Sequence, residues 1–218
     1  MDVALRAVTQ RDLVLSRSER RRLRNRQALI DAAYRVMAEK GIDAATMVEI
    51  ADLADVGAGT VYNYFTSKND LVIAVMEQVM DRLSQRIEAV TNTFDDPAQV
   101  YAFGVRNVMI AAITDQRWRW LLRRSEVIAG AMYRVQGPYA IRDIRNAVAR
   151  GRYKVEDADL AWSLATNAIV GFSLAVCDAE IQPDKMDEAV VNLLGMVGVE
   201  RDEAWDIARR PCPALPSE

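Results

Sequence analysis

The chain has 218 residues, 51% hydrophobic and 27% charged, with a net charge of −3, which excludes a disordered chain and allows one large core or two smaller ones. It contains no histidine, and its two cysteines, Cys177 and Cys212, form no CxxC. The commonest metal ligand and the commonest general base are therefore missing, and neither a metal, a cofactor nor catalysis is expected. Cysteine usage of this kind fits a reducing, cytoplasmic setting, and no basic–apolar–small leader opens the sequence.

Charge is unevenly spread. Residues 1–26 hold eight arginines against three acids, so this stretch carries +5 and the remainder −8. A basic arm over 1–21 on an acidic body puts an electrostatic footprint at one end. Within the basic stretch over 1–26, Arg20, Arg21, Arg22 and Arg24 are the candidate DNA contacts; a solubilising tail is the alternative.

Strand signals are nearly absent and helical periodicity is nearly continuous, which predicts an all-α fold. A first helix is expected over 23–40, with Ile30, Ala33, Tyr34 and Met37 on one face and Gly41 as its C′ residue. Thr46 and Glu49 form a capping-box pattern that opens a second helix over 47–53. A turn over 54–57 leads to a short third helix over 58–64. Ser67 caps a long fourth helix over 68–90, whose stripe Leu71, Val72, Val75, Met76, Val79, Leu83 and Ile87 keeps helical spacing. Asp95-Asp96-Pro97 starts a fifth helix over 97–114. Further helices are expected over 116–135 and 138–150, separated by Gly137-Pro138, and over 157–179 and 184–198. Residues 201–218, with Pro211, Pro213 and Pro216, are expected to fray.

The run of 18 uncharged residues from Leu160 to Cys177 reaches the lower limit for a membrane span. Ser163, Thr166, Asn167 and Ser173 interrupt it, and acids flank it on both sides. A helix buried in protein is the expected outcome, with no membrane partner.

The stretch over 46–71, TMVEIADLADVGAGTVYNYFTSKNDL, is the most informative. Two short helices joined by a tight turn brace one another, and the second carries small residues, hydroxyls and two tyrosines with almost no charge. Such a face suits a nucleic-acid groove. The sequences AAYRVMAEKGIDAAT (32–46), IADLADVGAGTVYNYF (50–65) and SKNDL (67–71) closely resemble the tetracycline-repressor (TetR) family of bacterial transcription regulators.

That resemblance implies an N-terminal three-helix helix-turn-helix DNA-binding domain (22–67) and a C-terminal helical ligand-binding and dimerisation domain (68–200). It implies that Thr46, Tyr62, Tyr64 and Lys68 grip phosphates, and that Gly57, Ala58, Gly59 and Thr60 lie nearest base edges. Asn63 stands where relatives often have an aromatic, and either donates to DNA or faces solvent. Direct base readout is thin, so specificity leans on shape readout by the arginine arm. The expected partners are double-stranded DNA with a palindromic operator, a second copy of the chain, and a small apolar or aromatic effector. A regulator controlled by a partner protein, or a helical dimeric binding module, is the alternative.

Two closing helices from each subunit are expected to form a four-helix dimer bundle through Leu164, Ala168, Gly171, Ala175, Val190 and Leu194. Phe103, Asn107, Trp118, Leu122, Tyr133, Trp162, Thr166 and Ile169 are the candidate lining of an effector cavity, where aromatics with scattered polar groups suit an apolar or aromatic ligand.

Overall fold

A computed structural model describes residues 16–115, 122 and 125–216, and every regular element among them is helical. The chain divides into two compact units, Met1–Val75 and Met76–Glu218.

The first unit opens with α1 (Arg17–Lys40). Ser16 caps it: the Ser16 hydroxyl accepts from the Glu19 N–H while the Glu19 carboxylate accepts from the Ser16 N–H. The helix thus starts six residues earlier than its apolar stripe suggests. The supposed arm residues Arg20 and Arg21, with Arg22 and Arg24, stand on its exposed first turns rather than on a loose arm. The cause is local: a capping box satisfies the orphan N–H groups whether or not apolar residues follow at once. Of the basic stretch, residues 1–15 lie outside the described residues. Gly41 ends α1 at φ 85°, a left-handed position that disfavours any side chain.

α2 (Met47–Leu53) is opened by the Thr46–Glu49 capping box, and α3 is a single α-helical turn, Ala58–Val61. Tyr62 to Phe65 then leave the helix through bonds from the Asn63, Tyr64 and Phe65 N–H groups to Thr60 and Val61 carbonyls. The turn between α2 and α3 uses Asp55 at φ 55°; a short polar side chain bears this conformation better than most. Leu29, Ile30, Ala33, Ile50, Ala51, Val61, Phe65, Leu71 and Val72 are buried and form this unit's core.

α4 (Lys68–Thr91) is one continuous helix with residues in both units. The second unit continues with α5 (Pro97–Thr114), α6 (Ser125–Ala149), α7 (Ala158–Cys177), a 3-10 turn (Pro183–Lys185), α8 (Met186–Met196) and α9 (Arg201–Ala208). α5 is central: half of its residues are buried, and it packs on α6, α7, α8 and α9. Asp96 caps it by accepting from the Ala98 N–H, with Pro97 at its first position. Asp96 also pairs with Arg152 at 3.0 Å and Arg210 at 3.4 Å. Burial alone would raise its pKa, but the Arg152 bond, the Ala98 N–H and both guanidinium charges together hold it below the ordinary carboxylate value.

Three elements of the second unit differ from the sequence-based expectation. α6 runs straight through Gly137-Pro138 instead of breaking there. Pro138 lies on the exposed face, while Ala131, Met132, Ile141 and Ile144 on either side of it are buried. Packing of that continuous face outweighs the lost hydrogen bond. Residues 201–208 form a helix with Ala204, Ile207 and Ala208 buried, so the C-terminal segment is not frayed over this stretch. Arg106 ties it down, donating to the Asp187 carboxylate and the Ala208 carbonyl, both at 2.6 Å. Finally, α7 is long and apolar enough to cross a membrane, yet it is not buried all round: 39% of its most apolar window is buried. Trp162, Ala165, Thr166, Ile169, Val170 and Ser173 face inward, while Leu160, Leu164, Asn167, Ala168 and Gly171 are exposed.

Candidate functional site

The first unit presents a small uncharged surface. Gly57, Ala58 and Gly59 are exposed, Thr60 is half-buried, Val61 beneath them is fully buried, and Tyr62 is 58% exposed. Asn63 is exposed and Tyr64 half-buried. α3 therefore rests on Val61 and offers its other sides outward. A Cβ placed on Gly59 would meet nothing within 4 Å, so side chains here are limited only by what docks from outside. The Arg26 guanidinium lies 5.3 Å from the centre of the Phe65 ring, a contact that fixes α1 against the segment following α3.

Two predicted phosphate grips have other work in this structure. The Thr46 hydroxyl accepts from the Glu49 N–H and donates to the Glu49 carboxylate, while the Thr46 N–H donates to that same carboxylate. Lys40 holds the other carboxylate oxygen, and the Lys40, Thr46 hydroxyl and Thr46 N–H bonds keep the Glu49 pKa below its usual value. Thr46 is thus first a helix cap. Lys68 has a structural role that the sequence did not suggest. Its ammonium donates to the carbonyls of Ile42, Asp43 and Ala45 at 3.0, 2.9 and 3.1 Å. An ammonium has three donors, and here all three are directed at the loop between α1 and α2, so Lys68 clamps that loop. Charge-assisted bonds of this kind are worth about 1.5–3 kcal/mol. Lys68→Ala is accordingly expected to lower stability by about 2–3 kcal/mol in urea unfolding, whereas a residue serving only phosphate would leave the unfolding midpoint unchanged.

The second unit holds a cavity of about 470 Å³ between α4, α5, α6 and α7. Ile87, Phe94, Val100, Val105, Val108, Ile144 and Ile169 supply apolar wall, and Tyr101, Gln136, Tyr139, Tyr153 and Trp162 supply polar edges. Phe94 is held edge-on by Phe103 at 5.4 Å, and Tyr101 by Tyr153 at 6.4 Å. The Tyr153 hydroxyl donates to the Pro97 carbonyl at 2.8 Å. Burial pushes the hydroxyl pKa of both Tyr101 and Tyr153 up, so both are neutral donors. Gly104 lines the cavity with only Ile87 near the position its Cβ would take.

Comparison with known proteins agrees with this two-part arrangement. The family model described as bacterial regulatory proteins, tetR family, matches residues 29–75, and the model of the tetracyclin repressor-like C-terminal domain matches residues 96–210. The chain belongs to the TetR family. Among curated relatives, the HTH-type transcriptional regulator BetI of Rhizobium meliloti is 43% identical over 58 residues, 27% of this chain and 29% of that protein. The HTH-type transcriptional regulator LuxR of Vibrio harveyi is 31% identical over 99 residues, 45% of this chain and 47% of that protein. The chain thus spans under half the length of these relatives. Among solved structures, RolR in complex with the ligand resorcinol superposes with a TM-score of 0.81 at 32% identity, covering 90% of this chain and 99% of that one.

Within this TetR-family fold the sequence-based cavity lining is partly displaced. Trp162 and Ile169 line the cavity as expected. Phe103, Asn107, Leu122 and Thr166 are buried but do not line it. The Asn107 amide donates to the Phe103 carbonyl, and the Thr166 hydroxyl to the Ser163 carbonyl. Tyr133 is 37% exposed and donates to Asp159 at 3.3 Å. Trp118 lies outside the described residues. Missed were Tyr101, Gln136 and the α4 residues Ser84, Glu88 and Thr91. Polar residues on an otherwise inward face were the available signal: Tyr101 precedes Val105 and Val108 by four and seven positions on one side of α5.

The predicted dimer residues also divide. Leu164 is 53% exposed, Ala168 and Gly171 are exposed and Ala175 is half-buried, but Val190 and Leu194 are 0% exposed and belong to the unit's own core. Their side of α8 packs on α5 and α9.

Proposed function

We propose that this TetR-family chain is a homodimeric transcriptional regulator that binds a palindromic operator through Gly57 to Tyr64 and is released by a small, largely apolar or aromatic effector. The observation carrying the reading is the pairing of two features. One is the exposed, charge-free α3 surface over a buried Val61; the other is the apolar cavity with polar edges in the second unit. RolR, seen with resorcinol at 32% identity over nearly its whole length, supports a small aromatic effector. Thr60 and Ala58 read thymine methyls and neighbouring edges, and Tyr62, Asn63 and Tyr64 reach backbone phosphates. The exposed side of α7, with Leu160, Leu164, Ala168 and Gly171, is the dimer face. The setting is cytoplasmic.

The mechanism is a population shift. α4 contributes Asp81, Ser84, Ile87 and Glu88 to the cavity wall and carries on without a break to Lys68. An effector that binds one position of the α4 wall better than another shifts the population of DNA-competent dimers. Repression relieved by effector is the proposed sign.

The test fills the cavity. Gly104→Phe projects a ring into the space that Gly104 leaves open. The variant is expected to bind operator within about threefold of the parent while its response to effector falls at least tenfold, because nothing near α3 has changed. Equal release of parent and variant by the same compound would contradict the cavity as the effector site.

A further inference from the structure

The cavity has an unusual chemical signature. Three of the residues that line it each carry a buried polar atom with no hydrogen-bond partner: the Tyr101 hydroxyl, the Gln136 side-chain oxygen and the Trp162 indole N–H. Their residues are 9%, 7% and 4% exposed. Burying such a group without a partner costs about 1–3 kcal/mol, so three in one wall mark a place built for something other than stability. The backbone accommodates them. Gly137, next to Gln136, leaves its Cβ position 3.4 Å from the Trp162 indole nitrogen, so a side chain there would crowd the N–H edge.

Resting on the effector-cavity reading above, we infer that the effector is an uncharged, hydroxyl-bearing aromatic, a phenol or diphenol, read by Tyr101, Gln136 and Trp162. The indole N–H donates only, and the Gln136 oxygen accepts only. A ligand that answers both must offer an acceptor and a donor, as a hydroxyl-bearing ring does. A carboxylate accepts from Trp162 but offers the Gln136 oxygen no donor. An ammonium donates to Gln136 but offers Trp162 nothing. The remaining lining argues the same way against an anion: it holds Asp81, Glu88, Asp95 and Asp143 against Arg142 and Arg150. Arg142 is already paired, donating to Asp143 at 2.8 Å. The wall elsewhere is aliphatic and aromatic, which suits the body of a small ring.

Two measurements on the full chain test this. The first needs no effector. Tyr101→Phe and Gln136→Met keep shape and remove the unanswered atoms, so both are expected to raise the unfolding temperature of the unliganded protein. A fall would mean that these atoms are satisfied within the fold, and would overturn the inference. The second is a titration with resorcinol, 1,3-dimethoxybenzene and benzoate. Resorcinol is expected to bind at least tenfold more tightly than either, and Gln136→Met and Trp162→Phe are each expected to weaken it about five- to tenfold while leaving the weak binding of the ether unchanged. Equal binding of ether and diphenol, tighter binding of benzoate, or no binding of resorcinol overturns it. Gly104→Phe separates the two levels. If a non-hydroxyl compound binds and Gly104→Phe blocks it, the cavity reading stands and only the hydroxyl inference fails. If Gly104→Phe blocks nothing that releases DNA, the cavity reading itself fails.

Discussion

Gly59→Glu is expected to abolish operator binding while leaving the fold intact. Gly59 is exposed, and a Cβ there meets nothing within 4 Å. The substitution replaces a poor helix former inside a helical turn, so it is neutral to mildly stabilising. Its carboxylate would stand beside Ala58 and Thr60, on the surface proposed to meet DNA. Bringing an anion against the duplex is repulsive on any sequence, and like-charge juxtaposition at an interface costs several kcal/mol. The expected loss is about 100-fold or more in affinity for operator and non-operator DNA alike, read by fluorescence anisotropy, with an unchanged unfolding temperature. Affinity within threefold of the parent would show that α3 does not face DNA. A loss of affinity accompanied by unfolding would point to the fold, which the open space around Gly59 argues against.

The largest expected loss of stability comes from Gly198→Ala. Gly198 adopts φ 85° in the turn after α8, where its Cβ position lies 2.7 Å from the Lys154 Cβ and 3.0 Å from the Lys154 nitrogen. That nitrogen donates to the Val197 carbonyl at 3.0 Å, so the two strands of chain are pinned together. A methyl group must therefore displace backbone, not merely turn a flexible side chain, and must do so from a left-handed conformation. Strain and overpacking together place the cost at roughly 2–4 kcal/mol. A shift of the urea midpoint to lower concentration with unchanged slope measures it. DNA binding at temperatures where the variant is folded is expected to persist. An unchanged midpoint would mean that the 154 and 198 segments are not held as described.

How much of this was legible in the sequence depended on whether the deciding interaction was local. The Thr46–Glu49 box and the Gly41 stop were read correctly because each is set within a few residues. The uncharged outer side of α3 was legible for the same reason: Val61 is the inward residue, and its neighbours are small. The clamping role of Lys68 was not legible because it depends on three carbonyls more than twenty residues away. No pattern around Lys68 announces a loop that lacks donors. Pro138 was taken for a break on sound local grounds, yet the buried faces on either side of it belong to one continuous contact with neighbouring helices.

Surface and core were hardest to separate on the closing helices. Leu164 and Leu194 have the same chemistry and similar helical spacing, but one is half exposed and the other fully buried. Which apolar stripe faces its own subunit is decided by α5 and α9, and nothing in α7 or α8 alone carries that information. The same limit affected the cavity. The sequence suggested aromatics with scattered polar groups, and Trp162 and Ile169 were among them. Tyr101 and Gln136 stand out only once their burial and lack of partners are visible.

On the proposed reading, an α3 surface with no charge of its own reads a symmetric site. Selection from a random duplex pool by the purified chain, at near-physiological salt, tests it most directly. An enriched palindrome is expected, with half-sites one helical turn apart and binding that keeps its sequence preference as salt rises. Recovery of no enriched sequence, with attraction that vanishes as salt rises, would contradict it, leaving the arginine-rich α1 as a source of unspecific binding only.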